Sequence, residues 1–82
     1  MKAARILEAE WRSHLPDGRE VVVRRRGPQW LVRCGNSLEQ STNLDVALAR
    51  AIRADTEVSG HARKVDYPTW IRSVADRLDP DD

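Results

Sequence analysis

Apolar positions along this chain recur at two different periods, and the change of period divides it. From Arg19 to Asn43 the pattern alternates: Val21 and Val23, then Trp30, Val32 and Cys34, fall on one side of a pleated strand. Val22, Arg24 and Arg26, with Leu31 and Arg33, fall on the other. The alternation predicts strands over Arg19–Arg26, Trp30–Cys34 and Ser37–Ser41. Gly27-Pro28-Gln29 reads as a short hairpin loop and Gly35-Asn36 as a two-residue hairpin turn, since glycine supplies the required dihedrals. The third strand is mostly polar, which suits a sheet edge.

On both sides of this stretch the spacing becomes helical. Ala3, Leu7 and Trp11 fall four apart, with Ala4 beside them and Leu15 continuing the row, and this predicts a helix over Lys2–His14. Glu8 and Arg12 form a favourable i,i+4 pair off that stripe. Leu15-Pro16-Asp17-Gly18 then stops it as a type I turn, with Pro at the second position and Gly at the fourth. A second helix opens at Thr42 or Asn43, with Asp45 at its positive end. Leu44, Ala47, Leu48, Ala51 and Ile52 form its stripe, and Val58 returns to it near Ser59-Gly60. The small residues Ala47, Ala51 and Ala54 allow a close approach to a sheet, and Gly60 suits a left-handed cap. His61–Asp66 is a polar linker. Pro68 starts a last helix whose apolar face is Trp70, Ile71, Val74 and Leu78, and Asp79-Pro80 ends it.

These elements predict an α+β fold: a small antiparallel three-stranded sheet, two-stranded at minimum, with helices packed on one face in the order α-β-β-β-α-α. Val21, Val23, Trp30, Val32 and Cys34 are the expected inward set. Eighty-two residues make one domain, 1–82, with 79–82 a frayed acidic tail. In element order, the three strands and helix across Arg19 to Glu57 resemble the DNA-binding domains of plant AP2 factors and of phage integrase arms. With the Lys2–His14 helix in front, the order also resembles that of double-stranded RNA-binding domains. Either resemblance implies a sheet or its flanking helices presented to nucleic acid.

Composition narrows the class. With 40% hydrophobic and 33% charged residues, the chain is expected to be soluble and globular. No apolar run approaches the ~20 residues that span a bilayer. Charge appears too early in the N-terminal residues for the apolar region of a signal peptide. Cys34, the single cysteine, leaves no internal disulfide, so a cytoplasmic location is expected. The net charge of +1 conceals a gradient. Arg19, Arg24, Arg25, Arg26 and Arg33 stand against Glu20 in the sheet, whereas Asp76, Asp79, Asp81 and Asp82 stand against Arg77 at the C-terminal end.

The candidate chemistry is sparse. Cys34 as a nucleophile would need a histidine and a lowered pKa; its strand position beside Val32 and Trp30 predicts a buried structural cysteine instead. His14 and His61 sit at predicted element ends as surface residues. Two histidines and one cysteine far apart match no metal-ligand spacing. The glycines, Gly18, Gly27, Gly35 and Gly60, each fall at a turn, so no phosphate-cradling loop is expected. The chain therefore reads as non-enzymatic, with no catalytic, cofactor or metal residues, acting by binding. The candidate surface is Arg24, Arg25, Arg26 and Arg33 with Val22 and Leu31. Its expected occupant is an acidic protein partner; separately, adjacent Trp70 and Ile71 widen the apolar face of the last helix, which a homodimer would cover. The alternative is nucleic acid on the basic sheet face, although a pI of 8.0 lies below the range of dedicated nucleic-acid domains. The acidic tail is a candidate screen for that face.

Overall fold

The computed structural model of the chain describes residues 10–59 and 67–79. Four strands, β1 (Glu10–His14), β2 (Glu20–Arg26), β3 (Gln29–Cys34) and β4 (Ser37–Ser41), precede two helices, α1 (Leu44–Ser59) and α2 (Pro68–Leu78). The strands form one antiparallel meander in the order β1-β2-β3-β4. The fold is thus α+β, with four strands instead of three and with the described helices following the sheet.

Tight turns set this register. Arg26 pairs with Gln29 and Cys34 with Ser37, so each of the last two hairpins closes through two residues. Gly27 (φ 61°) and Gly35 (φ 59°) take the first of those positions in the left-handed region, which bends the chain with the twist of the strands. At the first turn, Gly18 N–H donates to Leu15 O at 2.8 Å, as the Pro16 and Gly18 positions predict. Leu15 N–H also donates to Arg19 O at 2.8 Å, so this turn closes a hairpin and does not end a helix.

The predicted Lys2–His14 helix is therefore corrected over residues 10–14, which form β1; its earlier part lies outside the described residues. Trp11 and Leu15 are four apart, a spacing shared by one face of a helix and one face of a strand. The hairpin turn and the open edge of the valine-rich β2 resolve the ambiguity in favour of the strand. The helix-first order behind the likeness to double-stranded RNA-binding domains is accordingly not seen in the described residues.

One sheet face carries the core. Val21, Val23, Trp30, Val32 and Cys34 are all buried beneath α1, whose Leu44, Ala47, Leu48, Ala51 and Ile52 are buried in turn. Each of the larger side chains contributes about 1.5–3 kcal/mol of apolar transfer. Ile71 and Val74 of α2 join this cluster, and Trp70 lies against Trp11 with ring centroids 6.3 Å apart.

Val58 departs from its predicted place on the stripe: it is 76% exposed. In the last turns of α1 the buried positions go to Asp55 and Thr56, which meet Arg19. Asn43 O accepts from Ala47 N–H at 3.1 Å to open α1, and the Asp45 carboxylate accepts from Val46 N–H at 2.9 Å. α2 opens on Tyr67, a non-glycine residue in the left-handed region (φ 52°, ψ 51°), with Pro68 following. Asp79 N–H caps it on Ala75 O at 2.8 Å. The expected Gly60 cap, the His61–Asp66 linker and residues 80–82 of the tail lie outside the described residues.

Candidate functional site

The face of the sheet opposite α1 is built in rows by the register. Arg12, Val22, Arg33 and Leu38 lie side by side across the four strands; Glu10, Arg24, Leu31 and Gln40 form the next row; Arg26 and Gln29 start a third. Val22 is only 5% exposed although it points away from the core, because Arg12 and Arg33 flank it in its row and long side-chain stems cover apolar neighbours. Val22, Leu31 and Leu38 give the face an apolar floor. With Glu10, Arg24, Arg26 and Arg33 they line a concavity of about 330 Å³.

Charge on this face is unevenly satisfied. Arg12 is held by Glu10 at 3.1 Å and lies 3.9 Å from Glu20. Arg24, Arg26 and Arg33 are exposed, and among the described residues none of them has an ion-pair partner. The structure thus brings five of the six candidate residues together: Val22, Arg24, Arg26, Leu31 and Arg33.

Arg25 is set apart from them. Odd positions of β2 face α1, and Arg25 stacks on Trp30 with its guanidinium carbon 4.7 Å from the ring centroid, while its Nε donates to Gly27 O at 3.1 Å. Leu38 belongs to the face and was not among the candidates. Its signal was the one apolar residue in the polar run Ser37–Ser41, which a two-residue hairpin places opposite Arg33.

A second polar cluster lies at the turn between β1 and β2. Arg19 forks between two carboxylates: its Nη2 and Nε lie 2.9 and 3.0 Å from Asp17 Oδ2, and its Nη1 donates to Asp55 Oδ2 at 3.1 Å and to Thr56 Oγ1 at 2.9 Å. Tyr67 Oη donates to Asp17 Oδ2 at 3.1 Å. Partial burial alone would raise the Asp17 carboxyl, but the hydrogen bonds from Arg19 and Tyr67 and the charge of Arg19 outweigh it and hold the carboxyl below its ordinary value. Burial likewise opposes the Arg19 charge, and the two carboxylates more than offset it. Among the described residues no buried side-chain nitrogen or oxygen lacks a hydrogen-bond partner. This cluster ties the β1–β2 turn to α1 and to the start of α2.

Cys34 is fully buried, and burial pushes its thiol from 9.0 up to about 11. It is expected to label slowly with thiol reagents in the native protein and quickly in denaturant. Because the folded thiol ionises later than the unfolded one, its contribution to stability is complete below pH 9 and declines as pH rises towards 11. Rapid labelling of the folded protein would overturn the assignment.

His14 is exposed on β1, and His61 lies outside the described residues. Among the described residues no three His, Cys, Asp or Glu side chains are grouped to hold a metal ion, and no helix is long and apolar enough to cross a membrane. Comparison with protein-family models, with curated proteins and with solved structures returns no match.

Proposed function

We propose that the protein is a binding module that holds an acidic segment of a protein partner on the outer face of its sheet. One observation carries this reading: among the described residues, Arg24, Arg26 and Arg33 have no ion-pair partner, and they stand around the apolar floor of Val22, Leu31 and Leu38. An acidic segment with apolar side chains meets both features at once, its carboxylates on the arginines and its apolar groups on the floor. A second copy docked face to face would bring like charges together, which opposes a homodimer through this surface. Trp70, the other motive for self-association, is half-buried against Trp11.

Nucleic acid is the second reading, favoured by three unpaired arginines on one face, which suit phosphate contacts. Trp11 and Trp30 join the core side of the sheet and Trp70 lies against Trp11, so the tryptophans do not supply a stacking platform on the outer face.

The test replaces all three arginines by glutamine. The fold is expected to survive, because all three are exposed. Affinity for a synthetic acidic peptide of alternating aspartate and valine is expected to fall about tenfold, from roughly 0.2–1 kcal/mol per exposed pair. Unchanged peptide affinity counts against the reading. Salt-sensitive binding of the wild type to mixed-sequence duplex DNA or RNA, with a log–log slope reduced by about one per arginine lost, would favour nucleic acid instead.

A further inference from the structure

The hairpin register determines which backbone groups of β4 are left over. In a two-residue hairpin the closing pair exchanges both of its hydrogen bonds, and bonded and non-bonded pairs then alternate along the ladder. Cys34 with Ser37, Val32 with Glu39 and Trp30 with Ser41 are therefore the bonded pairs between β3 and β4. The same parity accounts for Gly35 N–H donating to Glu20 O at 3.1 Å on the other side of β3. Leu38 and Gln40 consequently turn both their N–H and their C=O away from the sheet. Among the described residues no strand lies along that edge.

The two edges of the sheet are treated differently. At β1 the outward backbone belongs to Glu10, Arg12 and His14, and a Glu10–Arg12 ion pair lies there, the kind of charged guard that discourages strand addition. At β4 the outward backbone belongs to Gln40 and to Leu38, which is 62% exposed. Leu38 is also the outermost member of the row that contains Arg33. The β4 edge, whose one charged side chain is Glu39 on the inner face, and the basic face are thus continuous.

Resting on the binding reading above, we infer that the acidic partner segment adds as a fifth strand alongside β4. It exchanges hydrogen bonds with the backbone of Leu38 and Gln40. Its outward side chains extend the outer-face rows of Leu38 and Gln40, two strand spacings (about 9–10 Å) from β3, so its carboxylates meet the long Arg33 side chain; Arg24 and Arg26 lie one spacing further away on β2 and act on the segment through their charge. The side chain opposite Glu39 lies on the inner face, where a carboxylate is repelled, so the segment alternates acidic with non-acidic residues. For a second copy at the same edge, two-fold pairing centred on Glu39 would set that carboxylate directly against its own equivalent.

Gln40→Pro tests this mode. It removes an outward N–H and leaves the β3–β4 ladder intact, since Gln40 makes no bond to β3. The expected result is a folded protein that binds the alternating aspartate–valine peptide about tenfold more weakly, as loss of a hydrogen bond and a clash at the edge require. If this variant binds as wild type does while the triple arginine variant is impaired, strand addition is overturned and the face reading stands. If neither variant is impaired, both readings fall. Should Gln40→Pro not fold, amide exchange on the wild type decides: the peptide is expected to slow exchange at Leu38 and Gln40, and unchanged exchange there overturns the inference.

Discussion

Arg19→Ala is expected to cost about 3–5 kcal/mol. The side chains of Arg19 and Asp55 are only 12% and 8% exposed, so solvent screens the pair little. Removing the guanidinium takes its Arg19 partner from the buried Asp55 carboxylate and leaves Asp17 with Tyr67 as its remaining side-chain donor. It also cuts the link between the first turn of the sheet and the last turns of α1. Arg19→Lys is expected to recover only part of the loss, because a single ammonium cannot reproduce the fork to Asp17, Asp55 and Thr56.

The same cluster gives the loss a pH signature. Asp17 is held below its ordinary pKa of 3.8 in the folded state, so its contribution is fully present above that value and disappears as pH falls through the folded pKa. Arg19→Ala removes the side-chain hydrogen bond and the charge that depress it, and keeps the backbone N–H of residue 19 and the Tyr67 hydroxyl. The gap in urea midpoint between wild type and variant is therefore expected to be widest near neutral pH and to narrow on acidification below pH 3.8. A gap that stays constant through the acid range would show that Arg19 acts by packing alone.

The meander from β2 to β4 was legible because two signals agreed there. Alternation assigned each side chain to a face, and glycines at the turns set the register, so the inward set and the edge strand both follow from the residues alone. β1 was not legible, since a spacing of four between Trp11 and Leu15 fits either period. The Arg19–Asp55 pair was hidden for a different reason. It joins positions 36 apart, and periodicity reports which face a residue takes but not which distant charge it meets. Gly35 shows both cases at once. Its turn role is plain from Gly35-Asn36, but a Cβ built there would lie 2.8 Å from Asp55 Cγ, a closeness that only the folded chain reveals. The binding face was readable in its arginines by parity. Leu38 and the β4 edge emerged only after three hairpin registers were stacked.

Trp30→Ala is expected to remove about 3–5 kcal/mol, enough to unfold much of a small domain at ambient temperature. Trp30 is 6% exposed and sits on the inner face between Arg25 of β2 and Ser41 of β4. Deleting the indole removes apolar area from a core that 82 residues can only make thin, and helix and strand backbones cannot collapse fully into the space. Arg25 adds a smaller term, about 0.5–1 kcal/mol for a cation over the ring at an exposed site. The two contributions separate in a double-mutant cycle: Trp30→Phe keeps a ring for Arg25 and most of the packing, whereas Arg25→Ala removes the cation together with its hydrogen bond to Gly27 O. Thermal melts followed by circular dichroism are the measurement, with roughly 4–8 °C lost per kcal/mol in a domain of this size. If Trp30→Ala melts within a few degrees of wild type, the inner face is not what holds α1 to the sheet. If Arg25→Ala is neutral in wild type and in Trp30→Phe alike, the stacking contributes nothing. The expected pattern is a large loss for Trp30→Ala, a small one for Arg25→Ala, and a smaller one still from Arg25→Ala once the indole is gone, when only the hydrogen bond to Gly27 O remains to be lost.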